Sequence, residues 1–179
     1  RLDVLEANVY LVDIDMPTLI DIGHHSNSNN LVECLKSIGY NPEDIKRVIF
    51  THMHGDHTGN PKNFSNARFF ASFQEIKNLK SMQMLFTYDA ESVELLDMVK
   101  LEPLKEQLGP FEVITTPGHT SGSICLHLKA KGLLFTGDTL FGVHTGRTDV
   151  STGSAKALKE SLKKLAKYKA EIMPGHDYG

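Results

Sequence analysis

Thr51-His52-Met53-His54-Gly55-Asp56-His57 decides how this sequence is read. Three histidines and an aspartate fall within six residues, directly after the apolar run Val48-Ile49-Phe50. A buried strand from Lys46 to Thr51 thus delivers four coordinating side chains to its own end, more than a packed core absorbs. Alternate residues leaving an extended chain point the same way, so His52 and His54 can share one metal ion. The next turn brings Asp56 and His57 round to face a second ion. A solvated polar loop with capping histidines is the competing reading, and a motif this long is rare by chance.

Other strand ends supply matching groups. Thr116-Pro117-Gly118-His119-Thr120 places a histidine in a tight loop after a strand at Phe111 to Thr115. Phe135-Thr136-Gly137-Asp138-Thr139 does the same with a carboxylate, and Met173-Pro174-Gly175-His176 repeats it with a histidine. Asp21 closes a strand running from Thr18 to Gly23. Each is weak alone, because a strand-end Asp usually caps a turn. Together they gather His and carboxylate from separate strand ends at one edge.

The rest of the chain alternates strand and helix. Val9 to Val12 opens as a strand, and Leu31, Leu35 and Ile38 mark an amphipathic helix stopped by Gly39, with Cys34 near its apolar stripe as a small core residue. Asn41-Pro42 starts a short turn, a short helix follows the histidine cluster, and Arg68 to Ala71 is a strand. Residues 72–108 are polar and helix-prone, with Ser72 and Glu75 spaced as a capping box, and read as helices or a lid. Ser123 to Leu128, Gly132 to Phe135 and Ile172-Met173 are strands. Ser154 caps a helix with the stripe Leu158, Leu162, Leu165. The class is α/β with two layers of sheet or a sheet covered by helix, in one domain spanning 1–179.

Composition removes several function classes. The formal charge is -3, which gives no basic field for nucleic acid or anionic lipid. The longest apolar run, Val9 to Val12, is far too short to span a membrane. Two cysteines, Cys34 and Cys125, form no CxxC pair and no disulfide framework, so a reducing cytoplasmic setting is expected. No signal-peptide pattern is visible at the N-terminus, although the sequence opens on Arg1 and a few residues are expected to precede it.

These residues resemble the metallo-β-lactamase superfamily over essentially the whole chain, with all five of its motifs in order. The resemblance implies an αββα sandwich with metals in a cleft at one edge of its sheets. It implies His52, His54 and His119 as ligands of one ion, and Asp56, His57 and His176 as ligands of the other. Asp138 would bridge them, and Asp21 would hold the histidine loop, so Asp56, Asp138 and Asp21 are the acids expected to matter in catalysis. Two Zn2+ per chain are expected, with Fe2+ or Mn2+ as alternatives.

Within the superfamily, Asp138 stands where class B β-lactamases carry cysteine or serine, and His54 where flavo-diiron proteins carry glutamate. The runs Gly137 to Phe141 and Gly146-Arg147-Thr148-Asp149 are similar to the glyoxalase II branch. Glyoxalase II proper continues past its last histidine into a helical domain that helps bind glutathione, whereas this sequence ends three residues after His176. The expected activity is hydrolysis of a small-molecule thioester or ester by a hydroxide held between two ions. The ending Gly175-His176-Asp177-Tyr178-Gly179 also resembles mononuclear iron persulfide dioxygenases, an oxidoreductase alternative, and lactone hydrolysis is a third reading. Arg147, His144 and Tyr178 are candidate substrate contacts, with an Arg147–Asp149 ion pair as the competing role for Arg147. His24 and His25 read as solvent-facing loop residues, and His127 as a surface residue without a role.

Overall fold

The computed structural model describes residues 6–87 and 89–177. Among them, ten strands form two five-stranded sheets. The first orders β1 (Tyr10–Asp13), β2 (Pro17–Ile20), β3 (Arg47–Ile49), β4 (Arg68–Ala71) and β5 (Leu101–Pro103) from edge to edge. Only β1 runs antiparallel to its neighbour; β2 through β5 are parallel. The second sheet orders β10 (Glu171–Pro174), β9 (Leu133–Gly137), β8 (Ile124–Leu128), β7 (Phe111–Thr115) and β6 (Gln107–Leu108). There β10 is parallel to β9 and the remaining pairs are antiparallel. The helices are α1 (Ser28–Ser37), α2 (Gly55–Thr58), α3 (Phe73–Thr87), α4 (Ala90–Leu96) and α5 (Ala155–Leu165).

Side-chain alternation along the strands stacks four layers. Ile20 and Ile49 of the first sheet meet Ile124, Leu126 and Phe135 of the second, making the dry seam between sheets. Their chain neighbours Leu19, Val48 and Phe50 face the other way, against Leu35 of α1, Ile76 and Leu79 of α3 and Leu96 of α4. On the far side, Ile114, Cys125 and Leu134 pack under Leu165 of α5. The result is the expected αββα sandwich. Because β3 is buried on both faces, its apolar run is continuous rather than alternating.

Several local expectations are corrected. The helix expected after the histidine cluster begins inside it, at Gly55. The polar stretch 72–108 holds α3 and α4, but also the short strands β5 and β6. Of the α1 stripe, Leu35 is buried, while Ile38 is 61% exposed one step past the helix, and Cys34 is also exposed. The capping box is half made: Ser72 Oγ accepts the Glu75 N–H at 3.1 Å, while the Glu75 carboxylate is used elsewhere. Among the described residues, no helix is long and apolar enough to cross a membrane.

Phe135 fills the seam, edge-on to Tyr10 at 5.2 Å and to Phe111 at 6.3 Å between ring centroids. Phe135→Ala is expected to destabilise the fold by about 3–5 kcal/mol. Urea unfolding would show it as a lowered midpoint at an unchanged slope; a loss under about 1 kcal/mol would mean that the seam closes over the cavity.

Candidate metal centre

Two parallel strand pairs, one in each sheet, end at the site, and each end carries site residues: Asp21 after β2, Thr51 to His57 after β3, Asp138 after β9 and His176 after β10. His119 arrives from the loop after β7. Its Gly118 has φ 156°, and a Cβ there would lie 2.4 Å from the Leu158 Cα, so only glycine lets the loop seat on α5. Ser161 Oγ of α5 donates to the Pro117 carbonyl at 2.7 Å, and the Ser154 N–H to the Gly118 carbonyl at 2.8 Å. One helix thereby fixes the ligand loop.

His52 Nε2 and His119 Nε2 lie 3.1 and 3.0 Å from His54 Nδ1, so three ring nitrogens converge on one point. All three residues are buried, and burial together with the neighbouring rings lowers their basicity. His52 is held well below its ordinary value and His54 falls to about 3. Burial likewise lowers His119. They therefore stand neutral, offering lone pairs.

The second cluster differs in charge. His176 Nε2 lies 3.3 Å from His57 Nε2 and 3.2 Å from Asp56 Oδ2. Burial works against protonation of both rings, yet carboxylates outweigh it, Asp138, Asp21 and Asp56 raising His57 and Asp56 and Asp138 raising His176. Burial also works against ionisation of Asp56, and is overcome chiefly by His57 and His176, so its carboxyl is held below the usual range. Without an ion, protons occupy the positions a cation would take.

Asp138 stands between the clusters. Its Oδ2 lies 3.5 Å from His119 Nε2, while its Oδ1 lies 3.3 Å from His57 Nε2 and 3.5 Å from His176 Nε2. Oδ1 is shut away from solvent, and no described donor is aligned for a hydrogen bond to it. A buried carboxylate oxygen left so is costly, and a cation on that side would satisfy it. The residues present therefore fit a metal at both positions.

The far ring nitrogens settle which lone pairs face inward. His119 Nδ1–H donates to the Arg147 carbonyl at 2.8 Å and His176 Nδ1–H to that of Glu6 at 3.2 Å. His57 Nδ1 meets Asp21 Oδ2 at 2.9 Å. Thr51 Oγ1 donates to Asp21 Oδ2 and accepts from His52 Nδ1. Each of these rings turns Nε2 to the site. Asp21 also accepts the Thr51 N–H at 2.8 Å, and does all this from φ 53°, the one positive φ outside glycine among the described residues.

This edge of convergent histidines and carboxylates on a four-layer sandwich defines a metal-binding protein of a class dominated by metal-dependent hydrolases. A family model for the metallo-β-lactamase superfamily matches residues 2–176, and the chain belongs to that superfamily. It is 32% identical to a probable metallo-hydrolase of Methanocaldococcus jannaschii over 95% of this chain and 87% of the relative. It is 30% identical to a hydroxyacylglutathione hydrolase of Rhodospirillum rubrum, covering 99% of this chain and 65% of that protein. Against other hydroxyacylglutathione hydrolases the chain spans about half of their length. A protein crystallised in a di-iron-bound form superposes with a TM-score of 0.78 at 26% identity, over 98% of this chain and 89% of that one.

Of the candidate substrate residues, Arg147 and His144 lie on the loop after β9, outside the proposed ligand set. Arg147 pairs with Asp149 through Nε and Nη2, each at 2.9 Å, both side chains well exposed. His144 is exposed at the end of a tight turn paired with Phe141, whose ring rests on His176 at 5.9 Å. Tyr178 lies outside the described residues. His127 is half-buried, its Nδ1 3.0 Å from a Glu112 carboxylate oxygen.

Sequence reasoning missed Glu75. Fully buried on α3, its carboxylate accepts the Met53 N–H at 2.8 Å, between two ligand histidines, and the Thr120 hydroxyl at 2.8 Å, beside a third. The capping-box spacing hinted at a local role; the partners are distant in sequence and invisible there. Burial pushes its carboxyl up to about 7 from 4.5. A raised carboxyl contributes stability below pH 4.5 that is lost as pH climbs toward 7. In chelator-treated protein, Glu75→Gln is expected to flatten the fall of Tm with pH across that window. Parallel wild-type and variant profiles would refute the assignment.

Proposed function

We propose that this chain is a hydrolase of small thioesters or esters working with two metal ions, zinc being the expected metal. The observation that carries the reading is Asp138, whose two oxygens face two complete ligand clusters. His52, His54 and His119 would hold one ion, and Asp56, His57 and His176 the other. A donor set of imidazole and carboxylate suits zinc and iron(II) alike, and the di-iron form of a similar structure fits the second option. Bound there, such ions would supply hydroxide near neutral pH and polarise a carbonyl.

The protein's own contribution is positional. Asp56, kept ionised beside His57 and His176, accepts a hydrogen bond from the attacking water and aims it. Asp21 and Glu75 hold the ligand loops at fixed spacing, which such chemistry requires. The name of the Rhodospirillum relative, a hydroxyacylglutathione hydrolase, supports a thioester as substrate class. The mononuclear iron dioxygenases keep the same seven positions, so the metal and oxygen dependence of the reaction is what separates the two readings.

Arg147 is our proposed anchor for a substrate carboxylate, with His144 and Tyr178 as further proposed substrate contacts. An exposed ion pair such as Arg147–Asp149 contributes little to stability, so its fork can be exchanged for a substrate at little cost. Arg147→Ala is then expected to raise KM for an anionic thioester about tenfold while sparing a neutral one. Equal losses on both, with a lowered Tm, would leave it the bracing role only.

Zinc-loaded protein is expected to cleave S-lactoylglutathione or a simpler thioester without oxygen. Asp138→Asn should lower metal content from about two ions per chain and slow turnover by ~100-fold. Oxygen uptake with glutathione persulfide and no thioesterase activity with any metal would reverse the reading.

A further inference from the structure

His24 and His25, expected in solvent, are half-buried and turn toward the start of α4. His25 Nε2 lies 2.8 Å from Asp89 Oδ2, and His24 Nε2 lies 3.8 Å from the same atom. The two rings sit 4.1 Å apart, tilted by 39°. One donor atom from each of the three residues falls within 4.8 Å of the others. None of them is a ligand of the centre described above.

We propose that His24, His25 and Asp89 form a separate site for a late first-row divalent cation, of the Zn2+, Ni2+ or Cu2+ kind. Two imidazoles and one carboxylate are the donors such ions take, with solvent completing the shell. Tetrahedral bonds near 2.0–2.1 Å place donors about 3.4 Å apart, so on an ion the His25–Asp89 pair would open from 2.8 Å, the His24–Asp89 pair would close from 3.8 Å, and no donor pair would close from beyond 4.8 Å. Side-chain exposures of 16%, 14% and 26% leave a path for entry while keeping the donors sheltered.

The surroundings support the three donors. Asp89 is already fixed as the cap of α4: Oδ1 accepts the Glu91 N–H at 3.2 Å, and Oδ2 the Ser92 hydroxyl at 2.5 Å. The far nitrogens have oxygens in reach, His24 Nδ1 with Ser26 Oγ at 2.8 Å and His25 Nδ1 with Glu91 Oε1 at 3.4 Å. Without an ion, His24 Nδ1 accepts the Ser26 N–H at 3.3 Å, which leaves the ring proton on Nε2. On binding, that proton moves to Nδ1, where Ser26 Oγ accepts it, and Nε2 is freed to coordinate. A carboxylate or hydroxyl behind a ligating histidine is the usual outer support of such sites. The bound ion joins residues 24 and 25 to residue 89, clamping the turn before α1 to the start of α4.

The test compares full-length wild type with a His24→Gln, His25→Gln double variant and with Asp89→Asn, each stripped by chelator, reloaded with Zn2+ and desalted. Elemental analysis is expected to give about one ion per chain fewer in both variants. Because the readout is a difference, it holds whatever number the main centre binds, and thioesterase activity should be unchanged. One equivalent of Cu2+ added to zinc-filled protein, displacing zinc from this more open site, should show two-nitrogen coupling by electron paramagnetic resonance, lost in the double variant. Should the double variant fail to fold, single His25→Gln carries the same measurement. Equal metal content together with an unchanged Cu2+ spectrum would overturn the site and leave the cluster as hydrogen bonds alone.

Discussion

The carboxylate of Asp21 stands behind the proposed ligands rather than among them, yet the geometry of the centre hangs on it. It accepts the Thr51 N–H, the Thr51 hydroxyl and the His57 Nδ1–H, joining the strand end, the first ligand and a ligand of the second cluster in one buried knot. Reaching them requires a left-handed backbone at φ 53°, a conformation that aspartate tolerates better than most residues. That strain is stored at the end of a strand buried on both sides, where neighbouring strands leave no room for the chain to relax.

Around this knot the ligand loops are fastened from outside. Glu75 ties the Met53 amide to Thr120, so the first histidine loop and the His119 loop share one buried acid from α3. On the opposite side, α5 grips the Pro117–Gly118 backbone. The two sheets also join at the site itself, through the Ile124 N–H to the Thr51 carbonyl. Ligands from both sheets are thereby held at a spacing set by the seam beneath them, and packing in that seam is transmitted to the metal positions.

The sandwich was legible, as was the gathering of histidines and carboxylates at one edge, because their signals are local and dense. A continuous apolar run marks β3, and glycines flank each ligand turn. What was not legible depended on contacts between distant segments. β5 and β6 are two or three residues long, edge strands among Lys, Pro and Glu, so their pattern carries no period. Glu75 looked like half of a local cap, yet its partners lie 22 and 45 residues away. His24 and His25 looked exposed because the residue that meets them, Asp89, is across the helical segment. Burial of a polar side chain is decided by what arrives opposite it, which a single sequence does not display.

Charge bears directly on the proposed hydrolysis. The three histidines of the first cluster are neutral, so the fixed negative charge comes from Asp56 and Asp138 at the ligand positions and Asp21 behind them. Two divalent cations would outweigh these three carboxylates by one positive charge, and the hydroxide of the proposed reaction would cancel it. The loaded site would then be neutral overall, and charge would move within it rather than accumulate: the negative charge of the hydroxide would pass to the oxyanion on attack and to the leaving group after it. Fixed buried ligands favour such a transfer because the groups around the moving charge are already in place and need not reorganise.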